Sequence, residues 1–427
     1  MSQGDSSFNP PRGMRDFYPE EMAVRNAIFG AWTAAAARFG FQHYDSCVVE
    51  SLELLKRKAG EEIVDQIYTF TDKSNRELAL RAEMTPTLAR MIAARQGALT
   101  FPLKWFTIAQ CFRYERMTKG RKREHYQWNL DIVGEPSVAA EVEVMAAAIQ
   151  ALQLLGFGKN DFRVHFNSRS VLSLLLDNSG IQPQHHQATF LALDKRGKIS
   201  DSDIAALLTA EGLNATDIDR IFNLAAIATM DQVLEKLGDS PLPCQQMIKL
   251  IELAAAMKIK DFMFFDISVI RGLSYYTGLV FEAFDANKSF RAIFGGGRYD
   301  NLLAEIGGSP TTGVGLGFGD VVIAEILAET GRMPAAAQSE ATTVGFMEDK
   351  QQLVAVAIAS ALRGNGANVD IATHSEKPKN FFSRAGKAGF KQAIYIGPDD
   401  VNSGTVRIKD LATRAEKVIS ISEITAN

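Results

Sequence analysis

Cysteine is scarce in this 427-residue sequence: Cys47, Cys111 and Cys244 are the only three. So few, set so far apart, supply neither a disulfide framework nor the ligand spacing of a zinc site. Histidine is scarce as well. Its six residues form no metal-binding pattern, and the adjacent His185 and His186 lie among polar neighbours, so no resident metal is expected. No apolar run approaches the ~18 residues a membrane span needs. The polar opening MSQGDSSFNPPRG also lacks the cationic and apolar regions of a secretory signal. These absences point to a cytoplasmic protein without a membrane partner. Neither sign of charge dominates, with 46 Lys and Arg against 50 Asp and Glu. Any strongly basic surface must therefore be local.

What is present describes a globular enzyme of two or three domains, 46% hydrophobic and 22% charged. Residues 20–39 carry Val24, Ile28, Trp32, Ala35 and Phe39 at helical spacing behind Pro19 and two acids, and Gly40 ends the run. Strand-like stretches (YDSCVVE, QIYTFTD, LKWFTIAQCFRYE, YQWNLDIVG) then alternate with helical ones (TPTLARMIAAR, VAAEVEVMAAAIQALQLLG) up to about residue 166. A nearly all-helical stretch follows, and strands resume at DFMFFDISVIRGLSYYTGLVFEAFD. Strands clustered with few crossover helices predict an α+β fold on an antiparallel sheet. TGRMPAAAQSEA, at 330–341, reads as a linker. Beyond it, strand and helix alternate in a small α/β unit. Its basic residues outnumber its acids 9 to 5 from Lys377 onward, which favours an anionic partner.

One stretch stands out. CFRYERMTKGRKREHYQWNLDIVGE, at 111–135, reads as two strands joined by a loop in which Arg113, Arg116, Lys119, Arg121, Lys122 and Arg123 are opposed only by Glu115. Such a density of cations suits a triphosphate or a nucleic-acid backbone. Gly120 is there without P-loop spacing, so a Walker-type site is not indicated. On the second strand Gln127, Asn129 and Asp131 share one face, while Trp128, Leu130 and Ile132 share the other. LRAEMTPTLARM places Arg81 and Glu83 just before a helix for which Thr85 is the natural N-cap. Glu83 would then be a carboxylate suited to an ammonium group. SVIRGLSYYTGLVFE puts Arg271 in an apolar, strand-like run where a cation needs an anionic partner. FGGGRYDNLL reads as a tight glycine turn entering a helix.

Taken together these segments resemble the histidyl-tRNA synthetases, a class II aminoacyl-tRNA synthetase family, along nearly the whole chain. PPRGMRDFYPEE is similar to the family's N-terminal signature, FRYERMTKGRKREHYQWNLDIVG to motif 2, and RGLSYYTG and GGGRYD to its two histidine-specific motifs. GVGLGFGD takes the place of motif 3, and KAGFKQAIYIGPDDVNSGTVRIKDL resembles an anticodon-binding domain. The resemblance implies a catalytic domain over 1–167 and 257–330, interrupted by a helical insertion at 168–256 and followed by an anticodon-binding domain at 342–427. It implies histidine, ATP with its Mg2+, and histidine tRNA as substrates, and a homodimer. Arg113 would hold the α-phosphate, Glu115 would read the adenine, and Arg121 would reach the outer phosphates. Glu83, Thr85 and Gln127 would receive the ammonium group; Asp131 and Tyr276, with Tyr275 beside them, would bind the imidazole. Arg271 would lie between the carboxylate and the α-phosphate, so Arg271 and Arg113 are the catalytic candidates.

The chain departs from that pattern at Cys47 and Ala82, where most members carry proline, and at Val322, where motif 3 usually carries an arginine that contacts ATP. Arg123 and Arg298 are the cations the sequence offers instead. Two rival readings share the fold: a non-catalytic regulator of the first enzyme of histidine biosynthesis, and a sensor of histidine or uncharged tRNA. The segment 342–427, with Arg113, Glu115 and Arg271 in place, favours the enzyme.

Overall fold

The computed structural model describes residues 8–58, 64–196, 199–271, 275–334 and 341–425. The chain forms two compact units, one over Met1–Phe17 and Val24–Arg332 and a smaller one over Tyr18–Ala23 and Met333–Asn427. The first is built on an eight-stranded sheet. Its strands are β1 (Gln42–His43), β5 (Leu103–Phe112), β6 (Glu124–Val133), β7 (Phe162–Ser168), β8 (Met263–Phe265), β9 (Leu279–Asp285), β10 (Phe294–Arg298) and β11 (Gly313–Gly319), in the spatial order β1-β5-β6-β11-β10-β9-β7-β8. Every pairing from β5 to β7 is antiparallel, and only the outer strands β1 and β8 pair in parallel. The α+β expectation holds. Beside this sheet β2 (Val49–Ser51), β3 (Thr69–Thr71) and β4 (Glu77–Leu80) form a small antiparallel one.

Period-2 patterning gives the large sheet two unlike faces. Trp128, Leu130 and Ile132 of β6, Leu316 and Phe318 of β11, and Phe281 of β9 point into one hydrophobic cluster. The helices Pro19–Arg38 and Ala139–Leu154 close over it with Ile28, Trp32, Met145 and Leu152. Trp32 stacks with Trp128 at 6.1 Å and meets Phe318 at 5.2 Å between ring centroids, so aromatic packing fixes the first helix to the sheet. Between β7 and β8 the chain runs through helices with local start signals. Ser200 with Asp203 and Thr229 with Gln232 form capping boxes, and Asn214 caps Ala215–Leu224. Their buried Leu172, Ile204, Leu208 and Ile221 join the same cluster.

Two local readings need correction. The stretch around Arg271 is a loop rather than a strand: β8 ends at Phe265 and β9 begins at Leu279. Its residues 272–274 lie outside the described residues. FGGGRYD is not a turn either, for Phe294–Arg298 is a strand in the middle of the sheet. Glycine runs signal a bend and a strand without side chains equally well, and only the neighbours decide between them. In the smaller unit β12 (Thr342–Phe346), β13 (Val369–Ile371) and β14 (Gln392–Ile396) pair in parallel, and β15 (Thr405–Asp410) and β16 (Glu416–Ser420) extend the sheet antiparallel. Val344, Phe346, Ile358, Ile394 and Ile396 form its separate core. The linker residues 335–340 lie outside the described residues.

Arg298 closes the end of β10 against the start of the helix Ala139–Leu154. It forks onto the buried Glu141 at 2.5 and 2.6 Å and donates to the carbonyls of Glu135 and Ser137. Arg298→Met should therefore leave Glu141 buried without compensation and destabilise the protein by ~3–5 kcal/mol. Adding Glu141→Leu should return much of that loss. Chemical denaturation of the two variants measures it, and a single-variant loss below about 1 kcal/mol would mean that the pair does not hold this corner.

Candidate active site

On the polar face of the large sheet two cavities meet. The larger, about 470 Å³, is lined by the β5–β6 loop (Arg113, Glu115, Gly120, Arg121, Lys122) and by His125, Glu282, Arg291 and Val322. The smaller, about 150 Å³, is lined by Glu83, Thr85, Tyr275, Tyr276 and Tyr299. Arg113, Gln127, Arg271, Gly295 and Gly317 belong to both walls. Arg113 and Arg271 thus stand where a molecule in one chamber would touch a molecule in the other.

The floor of both chambers is glycine. β11 reads GVGLGFG, with Val314, Leu316 and Phe318 in the core and the glycines turned to the site. Gly295 lies opposite Gly317, and Gly297 opposite Gly315, on the neighbouring strand. A β-carbon at Gly295 would stand 1.8 Å from Nη1 of Arg271; at Gly297, 2.9 Å from Tyr276; at Gly315, 1.9 Å from Oδ1 of Asp131; at Gly317, 2.5 Å from Gln127. Site side chains occupy the space the glycines leave.

Several of the polar groups have an identifiable holder. Arg113 follows the end of β5 and donates Nε to the carbonyl of Ala82 at 2.9 Å. Arg271, with φ of 60°, pairs with Glu282 at 2.6 Å. Such a left-handed conformation in a non-glycine residue is uncommon and concentrates at functional sites. In the loop, Arg121 pairs with Glu115 at 2.8 Å. Lys119 reaches Glu329 and lies over Phe290, and the Gly120 N–H donates to Glu325, so the loop tip is fastened down. Glu83 is buried; its Oε2 accepts from the Tyr275 hydroxyl at 3.1 Å and its Oε1 has no partner among the described residues. Burial raises its pKa above the usual range, against the pull of Arg113. An ammonium group there would satisfy both the charge and the open oxygen.

Asp131 is 2% exposed and does not reach the cavity wall itself. Oδ1 accepts from the Tyr299 hydroxyl at 2.6 Å and Oδ2 has no partner among the described residues. Burial pushes its pKa up to about 7 in spite of the Tyr299 bond. Thr85 lines the small pocket but is not an N-cap: it is the first residue of Thr85–Arg95, behind Met84, whose side chain makes no cap bond. Arg81 is structural, donating to the carbonyls of Gln110 and Ser46. Neither cation suggested as a substitute near Val322 lines the large cavity. Arg298 is engaged with Glu141, and Arg123 lies 3.7 Å over the Tyr114 ring.

Glu282, His125, Tyr299 and Arg291 were not picked out from the sequence alone. His125 shares the face of Gln127 by strand alternation, and this signal was legible. Burial, then Arg113 and Arg15, lower its pKa to about 3, so it presents a neutral ring to the cleft. Tyr299 sat in the misread glycine stretch. Arg291 carried no local pattern at all. No helix among the described residues is long and apolar enough to cross a membrane, and none of them form a cluster of three or more metal ligands.

Comparison with known proteins places the chain in a family. The family model described as histidyl-tRNA synthetase matches residues 13–319, and the one described as anticodon binding domain matches 339–427. The chloroplastic/mitochondrial histidine-tRNA ligase of Arabidopsis thaliana is 38% identical over 97% of this chain and 86% of its own length. The histidine-tRNA ligase of Opitutus terrae is 38% identical over 99% and 98% of the two chains. Among solved structures, the histidyl-tRNA synthetase of Nostoc sp. PCC 7120 superposes with a TM-score of 0.83 over 98% of each chain. A Bacillus halodurans structure described as an ATP phosphoribosyltransferase regulatory subunit/histidyl-tRNA synthetase gives 0.76 over 91% of this chain and 98% of that one. At 22% identity each, these two structures speak to the fold alone. The family model and the relatives above 30% identity, which run along nearly the full length of both chains, carry more: this chain belongs to the histidyl-tRNA synthetase family.

Proposed function

We propose that the protein ligates histidine to its tRNA through a histidyl-adenylate, and that the two joined chambers are where the adenylate forms. The observation that carries this reading is their junction: a pocket of amino-acid size and a cleft of nucleotide size share Arg113 and Arg271. Histidine's ammonium would meet Glu83, Thr85 and Gln127. Its imidazole would lie against Tyr276 and Tyr299, with Asp131 behind Tyr299. ATP would fill the cleft with its adenine against His125 and Glu115, its α-phosphate at Arg113 and its outer phosphates toward Arg121. A carboxylate oxygen of histidine then attacks the α-phosphorus and pyrophosphate leaves. The terminal hydroxyl of tRNA next attacks the carbonyl carbon, releasing AMP. Little covalent work falls to the chain, so placement and fixed charge supply the acceleration.

Glu115 and Glu282 are the carboxylates on the cleft wall, and each is paired with an arginine. That donor set suits Mg2+ carried in on the triphosphate, where it screens phosphate charge, rather than a cation held by protein ligands alone. The smaller unit would read the anticodon, as its family match suggests. The site of action would be the cytoplasm, where charged tRNA is consumed. Histidine-dependent ATP–pyrophosphate exchange, together with histidylation of tRNA, tests the whole reading. A folded protein that performed neither would be a regulator or sensor instead.

Arg271→Ala should slow adenylation by ~100–1,000-fold or more, as for loss of a preorganised donor to developing charge. Arg271→Lys should recover only part, because a point charge lacks the planar fork. Gly295→Ala should reproduce the defect without unfolding, since its methyl would displace the flexible tip of Arg271. Single-turnover adenylation is compared with single-turnover transfer from preformed adenylate. If both steps fall alike in a folded variant, Arg271 does not serve the α-phosphate.

Asp131 separates stability from binding. Its raised pKa means that the folded state keeps a proton the unfolded chain releases near pH 4, so stability falls as pH rises from about 4 to about 7 and levels off above. Asp131→Asn removes that penalty and should raise the melting temperature relative to the parent, increasingly across that window. It should also weaken histidine roughly 10–100-fold, because the charge-assisted bond that holds the Tyr299 hydroxyl toward the pocket is weakened, with ATP unaffected. A variant less stable at pH 8 than the parent, or one that loses both substrates equally, contradicts this assignment.

A homodimer accords with the small sheet. Val48, Val49 and Phe70, on or beside β2 and β3, are 37–43% exposed, an apolar surface of the kind a two-fold partner covers. Sedimentation at micromolar concentration should give a dimer, and Val49→Lys with Phe70→Lys should shift it to monomer. A parent protein that sediments as a monomer disproves the assembly.

A further inference from the structure

The cleft's cations differ in what holds them. Arg121 is paired with Glu115 and Arg271 with Glu282, while Arg113 is steered by a carbonyl. Arg291 is different. It is an exposed residue on the connection between β9 and β10, and no ion pair or hydrogen bond engages its guanidinium among the described residues. Its stem is nonetheless placed. A β-carbon at Gly120 would lie 3.3 Å from Cδ of Arg291 and 3.4 Å from Cγ2 of Val322, so the absence of a side chain at Gly120 lets the arginine lie against the tip of the β5–β6 loop. That tip is itself fastened, through Gly120 to Glu325 and through Lys119 to Glu329. An unpaired cation is thus set against an anchored loop on the wall of the cleft.

Position and neighbours indicate what it would meet. Arg113 and Arg271 line both chambers, whereas Arg291 lines only the larger, away from the junction where the α-phosphate would react. Arg121 and Lys122 face the same space; of the acids on or behind this wall, Glu115 is paired with Arg121 and Glu282 with Arg271, while Glu325 gives one oxygen to the Gly120 N–H and keeps the other without a partner among the described residues. A group of cations this short of counter-charge concentrates anions. Resting on the adenylation reading above, we propose that Arg291 holds the outermost phosphate of ATP, supplying the charge that Val322 on the same wall does not.

The test uses the full-length protein with Arg291→Ala and Arg291→Lys, and calorimetric titration with ATP, AMP and pyrophosphate in the absence of histidine. Arg291→Ala should weaken ATP and pyrophosphate roughly 10–100-fold, the range of one charge-assisted contact, and leave AMP within about twofold. Arg291→Lys should fall between. In exchange assays the KM for ATP should rise while that for histidine stays. ATP and AMP weakened alike would mean that Arg291 serves the adenine or the fold, and unchanged ATP binding would mean that it serves neither; both overturn the proposal. A parent protein that binds ATP but shows no exchange would refute adenylation, while the titrations would still decide the phosphate contact.

Discussion

The site depends on a place where the sheet has no side chains. Gly295 and Gly297 of β10 stand opposite Gly317 and Gly315 of β11, and the absent β-carbons are what allow Arg271, Tyr276, Gln127 and Asp131 to lie against the backbone. Glycine in a strand interior is conformationally expensive, roughly 0.5–1 kcal/mol each, and contributes no packing. The compensation is on the reverse face of the same strands. Phe294, Val314, Leu316 and Phe318 alternate with those glycines and bury themselves under the Trp32–Trp128 stack. One strand thereby serves two purposes by period-2 alternation, with cohesion on one side and clearance on the other.

This explains which parts were legible in the sequence. The β5–β6 hairpin could be read because its signals are local: alternation sorts Gln127, Asn129 and Asp131 from Trp128, Leu130 and Ile132, and a run of cations needs no partner to be noticed. The helix Pro19–Arg38 and the alternating elements of the smaller unit were legible for the same reason. The glycine floor was not, because its meaning lies in side chains that arrive from elsewhere: Asp131 precedes Gly315, and Arg271 precedes Gly295, by long stretches of chain. Thr85 was misjudged as a cap since the motif Thr-Pro looks the same whether its hydroxyl faces the helix or a cavity. His125 is the instructive omission, since alternation alone put it on the site face. Arg291 and Tyr299 could be placed only by the fold.

Charge in the site is arranged before any substrate is present. Glu282 and Glu115 hold Arg271 and Arg121 in defined positions, so these guanidinium groups need little reordering to face an anion. An anionic substrate competes with those carboxylates, however, and the net gain from a paired arginine is smaller than from an unpaired one in the same place. Arginines that orient the reacting centre can accept that reduction, because their value lies in geometry at the moment charge develops.

The carboxylates of the small pocket follow the opposite logic. Among the described residues Glu83 and Asp131 each keep one oxygen without a partner in a buried setting, a state that disfavours ionisation and destabilises the folded protein as pH rises. In the proposed complex an ammonium would relieve Glu83 directly, whereas Asp131, behind Tyr299, would feel the ligand only through that hydroxyl. A side chain of similar size that offered Tyr299 no partner would relieve Glu83 alone. Discrimination of this kind would come from the deficit built into the pocket more than from attraction to the right ligand, since buried polar groups left unsatisfied penalise every competitor that cannot engage them. The glycine at 315 belongs to this argument too, because a β-carbon there would displace the Asp131 carboxylate that holds Tyr299.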